Sequence, residues 1–304
     1  MIEVVRAGLL DLVMDAGRIG YAHLGVPVGG AADRCALAAA NRLVGNPDTA
    51  AGLELILAGP VLAFPDGGVV ALIGAPFAAT RTSGVPVVWN KTLILAREEV
   101  LALGRVESGC RCWLAVRGGL ALPKVMGSIS TFLPGGFGGL AGRALRAGDR
   151  LPCGQAEGGA RMRRQRPAPL DPAAPLRVIA GPQAAQFGDA ALAAFFAGTW
   201  RVDGASDRRG LRLTGARVAQ DGGGEMPSQA VLPGVVQIPP DGQPLVLGWD
   251  GPVTGGYPVI AGVISADLAR LAQLKPGDSV RFETAGVEAA RAWAHCTVIL
   301  EELS

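Results

Sequence analysis

The sequence predicts a mainly β protein built as two tandem β-barrels with a few short helices. Three observations carry that reading. Short β-branched runs recur between turn residues along both halves. Glycine (45) and proline (22) punctuate the 304 residues, which favours many short elements joined by turns over long helices. The halves also echo one another in order: LAGP (57–60) returns as IAGP (179–182), and LRAGDRL (145–151) returns as LKPGDSV (274–280). A Gly-Asp turn between strands is common chemistry when met singly. Its place in a shared order indicates two copies of one fold.

Taken along the chain, Asp33–Val44 is expected to be helical, with its start at Ala32–Asp33 and its stop at Gly45–Asn46. VVALIGA (69–75), VPVVW (85–89), TLILA (92–96) and CWLAV (112–116) read as strands of the first half. Residues 154–175, rich in Gly, Pro and Ala, read as a linker or exposed loop, with Arg161, Arg163, Arg164 and Arg166 solvated rather than gripping phosphate. In the second half LRVIAG (176–181), GVVQIP (234–239), PLVLGW (244–249) and SVRFET (279–284) read as strands. Gln183–Ala197 is Ala-rich and expected to be helical, and Ser265–Leu274 begins with a serine cap and carries apolar residues at helical spacing. The division is therefore 1–155 for one domain, 156–175 for the linker and 176–304 for the other.

Composition excludes several classes. A balance of 28 basic against 26 acidic side chains gives a net charge of +2, too little to indicate a nucleic-acid or membrane-surface partner. Aromatics at 5% supply no stacking platform. Five cysteines without a CxxC pair, and only His23 and His295, argue against a zinc cage, so no metal site is expected. No lysine follows a glycine, so there is no P-loop; GGFGGLAGR (135–143) looks like a phosphate cradle but lacks the GxGxxG spacing. No GxSxG elbow or SxxK pair occurs, and His295 reads as structural. There is no Met-Lys-Met biotin site, so ATP or biotin would be handled unusually or by another chain. No basic leader or 18-residue apolar run is present, and the expected compartment is the cytoplasm.

Polar residues concentrate in glycine-rich loops. In Asp15–Asp33 one carboxylate, Asp15, and one guanidinium, Arg18, face each other across a Gly turn. They suit either a turn-fixing salt bridge or an arginine that holds a carboxylate bidentately. This stretch, with ANRLVGN (40–46), LELILAGPVLAF (53–64), CRCWLAVRGGL (110–120), MGSISTF (126–132) and GRALRAGDRL (142–151), resembles the family of C-type 5-oxoprolinase subunits. That family is also known as allophanate hydrolase subunit 2 or KipA-like biotin-dependent carboxyltransferase. In the second half IAGPQ (179–183), SDRRGLRLTG (206–215), Ser228 and the long block 234–282, with TGGYP and QLKPGD, are similar to the same family.

The resemblance implies cyclophilin-like β-barrels and a sister subunit of related fold, the B-type (allophanate hydrolase subunit 1 or KipI-like) protein. It implies ATP-dependent opening of 5-oxoproline to glutamate. The alternatives it carries are carboxyl transfer from carboxybiotin to an amide nitrogen, or stoichiometric binding of a kinase-inhibitor homologue. On its motifs Arg208 and Tyr257 are the expected catalytic residues, and Arg18, Ser128, Gln237, Thr254, Gly255 and Gly256 the expected substrate-binding ones. Arg208 would hold a substrate carboxylate or pair with Asp207 or Asp203; Tyr257 would steady an oxyanion or cap a barrel. Gln237, in an apolar strand, needs a buried partner or a ligand. Ser128 and Thr131 also suit turns, Asp33 and Ser265 suit helix caps, and Asp149 and Asp278 belong to the repeated turns. The chain departs from the family pattern at Met14, where a Gln is usual, at Ile129, where an Arg is usual, and at Gly251-Pro252-Val253.

Overall fold

A computed structural model describes residues 1–156, 158–159, 161–165, 174–219, 226–294 and 300–302. They form two compact units. One holds residues 1–19, the described part of 29–169 and the C-terminal strand Leu300–Glu302; the other holds residues 20–28 and the described part of 170–296.

In the first unit two five-stranded sheets enclose the core. One runs Arg150–Leu151, Ile2–Arg6, Val61–Phe64, Glu99–Val106, Phe77–Arg81; the other runs Leu10–Met14, Gly52–Ile56, Arg111–Val116, Gly68–Gly74, Thr92–Leu95. In the strand Glu99–Val106 buried and half-buried residues alternate over 99–104, as a strand with one covered face must. Gly52–Ile56 and Arg111–Val116 are buried at every position. The helix Arg34–Val44 packs on Arg111–Val116 and Gly68–Gly74, burying Ala36, Leu37, Ala39, Ala40, Leu43 and Val44. Asp33 caps it as expected, accepting from the Ala36 N–H at 2.9 Å, and Gly45 ends it at φ 78°, a left-handed value that glycine adopts without strain.

The second unit is one eight-stranded sheet, Ser279–Val280, Trp200–Val202, Gly210–Thr214, Leu245–Leu247, Val235–Gln237, Val259–Val263, Leu176–Ala180, Phe282–Thr284. Its two outer strands are consecutive in sequence, separated by Arg281 alone, so the sheet is nearly closed into a barrel. Phe195, from the helix Asp189–Ala197, fills the core against Phe282 at 4.7 Å and Trp200 at 6.0 Å between ring centroids.

The echoed turns have one geometry. Asp149 N–H donates to Arg146 O while its carboxylate accepts from the Arg146 N–H; Asp278 does the same with Lys275. Gly148 and Gly277, at φ 87° and 90°, donate to Val4 O and Val202 O, and each valine N–H donates back to the aspartate carbonyl. Asp149 and Asp278 are thus structural.

Several expectations need correction. Val85–Trp89 is a loop, because Pro86 has no N–H for a ladder; Val85 and Val88 stand exposed, while Trp89 stacks on Phe77. Gln183–Ala197 splits into a 3₁₀ turn, Ala184–Gln186, and the helix Asp189–Ala197, with Gly188 between them. Ser265 makes no cap bond; it opens a 3₁₀ turn, Ser265–Asp267, followed by Leu268–Leu271, and Asp267 is held by Arg177 at 2.6 Å. Within the expected linker, Arg163–Gln165 is a strand paired with Leu300–Glu302, and Arg164 pairs with Glu301 and Arg161 and Arg163 with Glu302. Cys35 is disulfide-bonded, which the cysteine spacing did not indicate, whereas Cys110, Cys112 and Cys153 form no disulfide. His295 and Arg166 lie outside the described residues.

Candidate functional site

In the first unit the strand Leu10–Met14 delivers Asp15 into a buried polar loop. Its Oδ1 accepts from Ser128 Oγ and Ser130 Oγ at 2.6 Å and from the Gly17 N–H at 2.8 Å; Oδ2 accepts from the Ile129 N–H at 2.7 Å. Burial alone would raise its pKa, but the donors Ser128, Ser130, Ile129 and Gly17 together hold it below the usual carboxylate range. Arg18, 1% exposed, donates from Nη2 to Ser130 O at 2.5 Å, and its guanidinium lies 5.0 Å from the Phe137 ring centroid. Asp15 and Arg18, read from sequence as a mutual turn-fixing pair or as a ligand clamp, therefore brace the same 128–131 loop. Ser128 is fully buried with its hydroxyl given to Asp15, and Thr131 Oγ1 donates to Val13 O at 3.1 Å. Gly138 sits at φ 72° where a Cβ would lie 2.1 Å from Ser130 O, so this loop contact requires glycine.

Met14 and Ile129 are buried, and Ile129 belongs to the hydrophobic core, so both departures place apolar side chains beside this loop. The sequence reading missed Glu54, fully buried, whose Oε2 accepts from the Ala32 N–H at 2.8 Å and Trp113 Nε1 at 3.2 Å, and whose Oε1 faces Arg111 at 3.4 Å. A lone glutamate in the apolar run LELIL was the available signal. It also missed Asp11, 1% exposed, whose Oδ2 accepts from the Gly8 N–H at 2.5 Å while Oδ1 has no hydrogen-bond partner among the described residues. Burial pushes this carboxyl up to about 6 against the lowering effect of Gly8.

Three glycine N–H groups of the loop 135–143 bond to main-chain carbonyls within and just before it. Gly136, Gly139 and Gly142 donate to Leu133 O, Ile129 O and Gly138 O. These three N–H groups are therefore already engaged by main-chain carbonyls.

In the second unit the TGGYP block forms a ribbon. Thr254–Gly255 pairs with Gln229–Ala230 in a two-stranded sheet of its own. Thr254 is exposed and Tyr257 is 38% exposed, so both side chains reach solvent. Gln237, 2% exposed, has the buried partner its position demanded: Nε2 donates to Tyr257 O at 3.2 Å. A Cβ at Gly255 would lie 2.6 Å from that Nε2, and one at Gly256 would lie 3.0 Å from Met226 O, so the paired glycines let the ribbon close on its supports.

Arg208 is buried and paired bidentately with Asp250, Nε to Oδ2 at 2.8 Å and Nη2 to Oδ1 at 3.2 Å. This corrects its expected role: a substrate carboxylate would have to displace Asp250. It also corrects the expected loop partners, since Asp207 pairs with Arg209. The Asp250 N–H donates back to Arg208 O at 3.0 Å, so the pair fixes the turn that leads into Thr254. Gln237, Gly255, Gly256 and Tyr257 thus come together in the second unit with Arg208 bracing the approach, while Arg18 and Ser128 come together in the first.

A two-unit β protein with glycine-rich loops locked by buried carboxylates and amides is what fold and loops define. The family model of the carboxyltransferase domain, subdomain A and B, matches residues 24–284. The chain is 40% identical over 291 residues to the C-type subunit of 5-oxoprolinase from Escherichia coli (strain K12), covering 95% of this chain and 93% of that protein. It is 35% identical over 314 residues to urea amidolyase of Lachancea kluyveri, covering 95% of this chain and 17% of that protein. The solved structure of K. lactis urea amidolyase matches with a TM-score of 0.86 at 31% identity, over 95% of this chain and 19% of that one. The chain belongs to the carboxyltransferase domain family, as its motifs and mainly β fold foretold.

Proposed function

We propose that this chain is one subunit of an ATP-dependent 5-oxoprolinase, hydrolysing 5-oxoproline to glutamate beside a B-type partner in the cytoplasm. The observation that carries this reading is the match along 93% of the C-type subunit of 5-oxoprolinase, against 17% of the urea amidolyase. Among the described residues no helix is long and apolar enough to cross a membrane.

Opening a lactam requires amide resonance to be broken, and ATP, when bound, supplies the driving force. Several N–H groups of the loop 135–143 are engaged by main-chain carbonyls, which supports assigning ATP to the complex with the partner. The chain's own part is orientation. Tyr257 presents a phenol O–H to steady negative charge developing on the lactam oxygen, and Thr254 with the Gly255–Gly256 backbone forms the wall beside it. Gln237 and Arg208 act through that segment, Gln237 by bonding Tyr257 O and Arg208 by fixing the preceding turn. Ser128 and Arg18 hold the Asp15 loop in the same way.

The test is 5-oxoproline-dependent ADP release by this chain reconstituted with a B-type (KipI-like) protein. Turnover that needs both chains supports the reading. A second reading, carboxyl transfer to an amide from a carboxybiotin carried by another chain, is favoured by the structural match to urea amidolyase. Transfer of the carboxyl group from carboxybiotin to the nitrogen of urea or a related amide, leaving free biotin and the N-carboxylated amide, would replace the first reading by this one. Stoichiometric binding of the partner with neither activity would make the chain a regulator.

A further inference from the structure

The ribbon that carries Thr254–Tyr257 has only two residues in each strand and stands outside the barrel ladder. Main-chain pairing on that scale does not fix a ribbon in water. Main-chain bonds from Met226 N–H to Gly256 O and from Val231 N–H to Val253 O extend it by one step at each end, and side chains add to its anchorage. Gln183, 8% exposed, accepts at Oε1 from Gln229 Nε2 at 3.0 Å and from the Val259 N–H at 3.1 Å, and donates from Nε2 to Gln229 Oε1 at 3.2 Å. Gln229 lies opposite Gly255 in the ribbon, and Val259 opens the barrel strand Val259–Val263 two residues after Tyr257. One amide therefore grips the ribbon on one side and the chain leaving Tyr257 on the other.

The geometry points to Gln183 as a positioning residue: the Gln183–Gln229 amide pair is a clasp that fixes the Thr254–Tyr257 segment against the substrate. This rests on the reading that the segment faces the substrate. The choice of chemistry supports a role in geometry more than in stability. An apolar pair would fill the same space without desolvating four polar groups, whereas a reciprocal amide pair is satisfied in one relative orientation only. Neither a carboxylate nor an aliphatic side chain at position 183 supplies both the donor and the doubly used acceptor.

The experiment uses the fact that the chain has two tyrosines, Tyr21 and Tyr257. Labelling with 3-fluorotyrosine gives two ¹⁹F resonances, assigned with Tyr257→Phe. Gln183→Ala and Gln229→Ala are each expected to move or broaden the Tyr257 line and leave the Tyr21 line in place. In the complex with the partner, each should lower kcat for the lactam on the order of 10-fold with little change in KM, and the double variant should be no worse than either single one. An unmoved Tyr257 line in both variants overturns the clasp. So does a moved line with unchanged kcat, which would make the pair structural only. If the wild-type complex turns over no lactam, the functional reading fails and the ¹⁹F lines alone decide the clasp. If Gln183→Ala does not fold, Gln229→Ala, at a half-buried position, decides by itself.

Discussion

Asp11 makes the first unit less stable at neutral pH than it would otherwise be, and Asp11→Asn should reveal by how much. The carboxyl is 1% exposed, has one main-chain donor at Oδ2, and leaves Oδ1 without a partner among the described residues. Its pKa rises from 3.8 in the open chain to about 6 in the fold. The folded state therefore binds the proton more tightly. Stability from this group is fully present below about pH 3.8 and is lost as pH rises through about 6. At roughly 1.36 kcal/mol per pK unit, the loss at pH 7 is up to about 3 kcal/mol. Asparagine keeps an acceptor for the Gly8 N–H and carries no charge. The variant should match wild type near pH 4 and exceed it at pH 7 by a large part of that amount. The assay is urea unfolding at both pH values, followed by pulsed hydrogen exchange of peptides covering Leu10–Met14 and its partner Gly52–Ile56, so that the first unit is read separately. A variant with the same pH dependence as wild type, or less stable at pH 7, refutes the reasoning.

Tyr257→Phe removes the one phenol that the second-unit loop presents to solvent, and should lower kcat/KM for 5-oxoproline roughly 10- to 150-fold with the partner bound; wild-type kinetics would remove Tyr257 from the site. Asp250→Asn removes the carboxylate paired with the buried Arg208 guanidinium and should cost about 3–5 kcal/mol, while replacing both by apolar residues of similar volume should cost much less. Thermal unfolding of the three proteins checks this, and equal losses would contradict it. Asp15 has a lowered pKa, so its contribution is present above the ordinary carboxylate value and disappears as pH falls below it. Ser128→Ala deletes one of its donors and should therefore move the acid-unfolding midpoint to higher pH; an unchanged midpoint would mean that the other three donors suffice.

What the sequence made legible follows from the range of the interactions involved. TLILA and CWLAV announce their strands because β-branched and aromatic runs bury on a pleated surface, and Asp33 announces its helix because a cap acts within one turn. The repeated Gly-Asp turns were legible for the same reason. Gln237 was read as an amide in need of a buried partner or a ligand, and the partner it has, a main-chain carbonyl 20 residues away, carries no sequence signal. Arg208 shows the opposite case. Its local candidates, Asp207 and Asp203, were the visible ones, while the true partner Asp250 lies 42 residues on and is brought in by the pairing of Gly210–Thr214 with Leu245–Leu247. The 85–89 run has the composition of a strand, yet its one proline decides against it. Arg163–Gln165 looked like linker because its partner strand, Leu300–Glu302, is at the far end of the chain.

The near-closure of the second-unit barrel has a consequence for how the protein is made. Its last seam is the parallel pairing of Leu176–Val178 with Phe282–Thr284, segments about a hundred residues apart. Parallel strands joined over that span come together only after the intervening chain exists, so the second unit cannot complete itself while its C-terminal part is still being synthesised. Until then Leu176–Ala180 is open on that side, with unpaired main-chain groups. The first unit has its helix and both five-stranded sheets encoded well before that moment, while the small sheet of Arg163–Gln165 waits for Leu300–Glu302. Synthesis therefore separates the two five-stranded sheets from the barrel in time, with the unit that bears Tyr257 closing its barrel later.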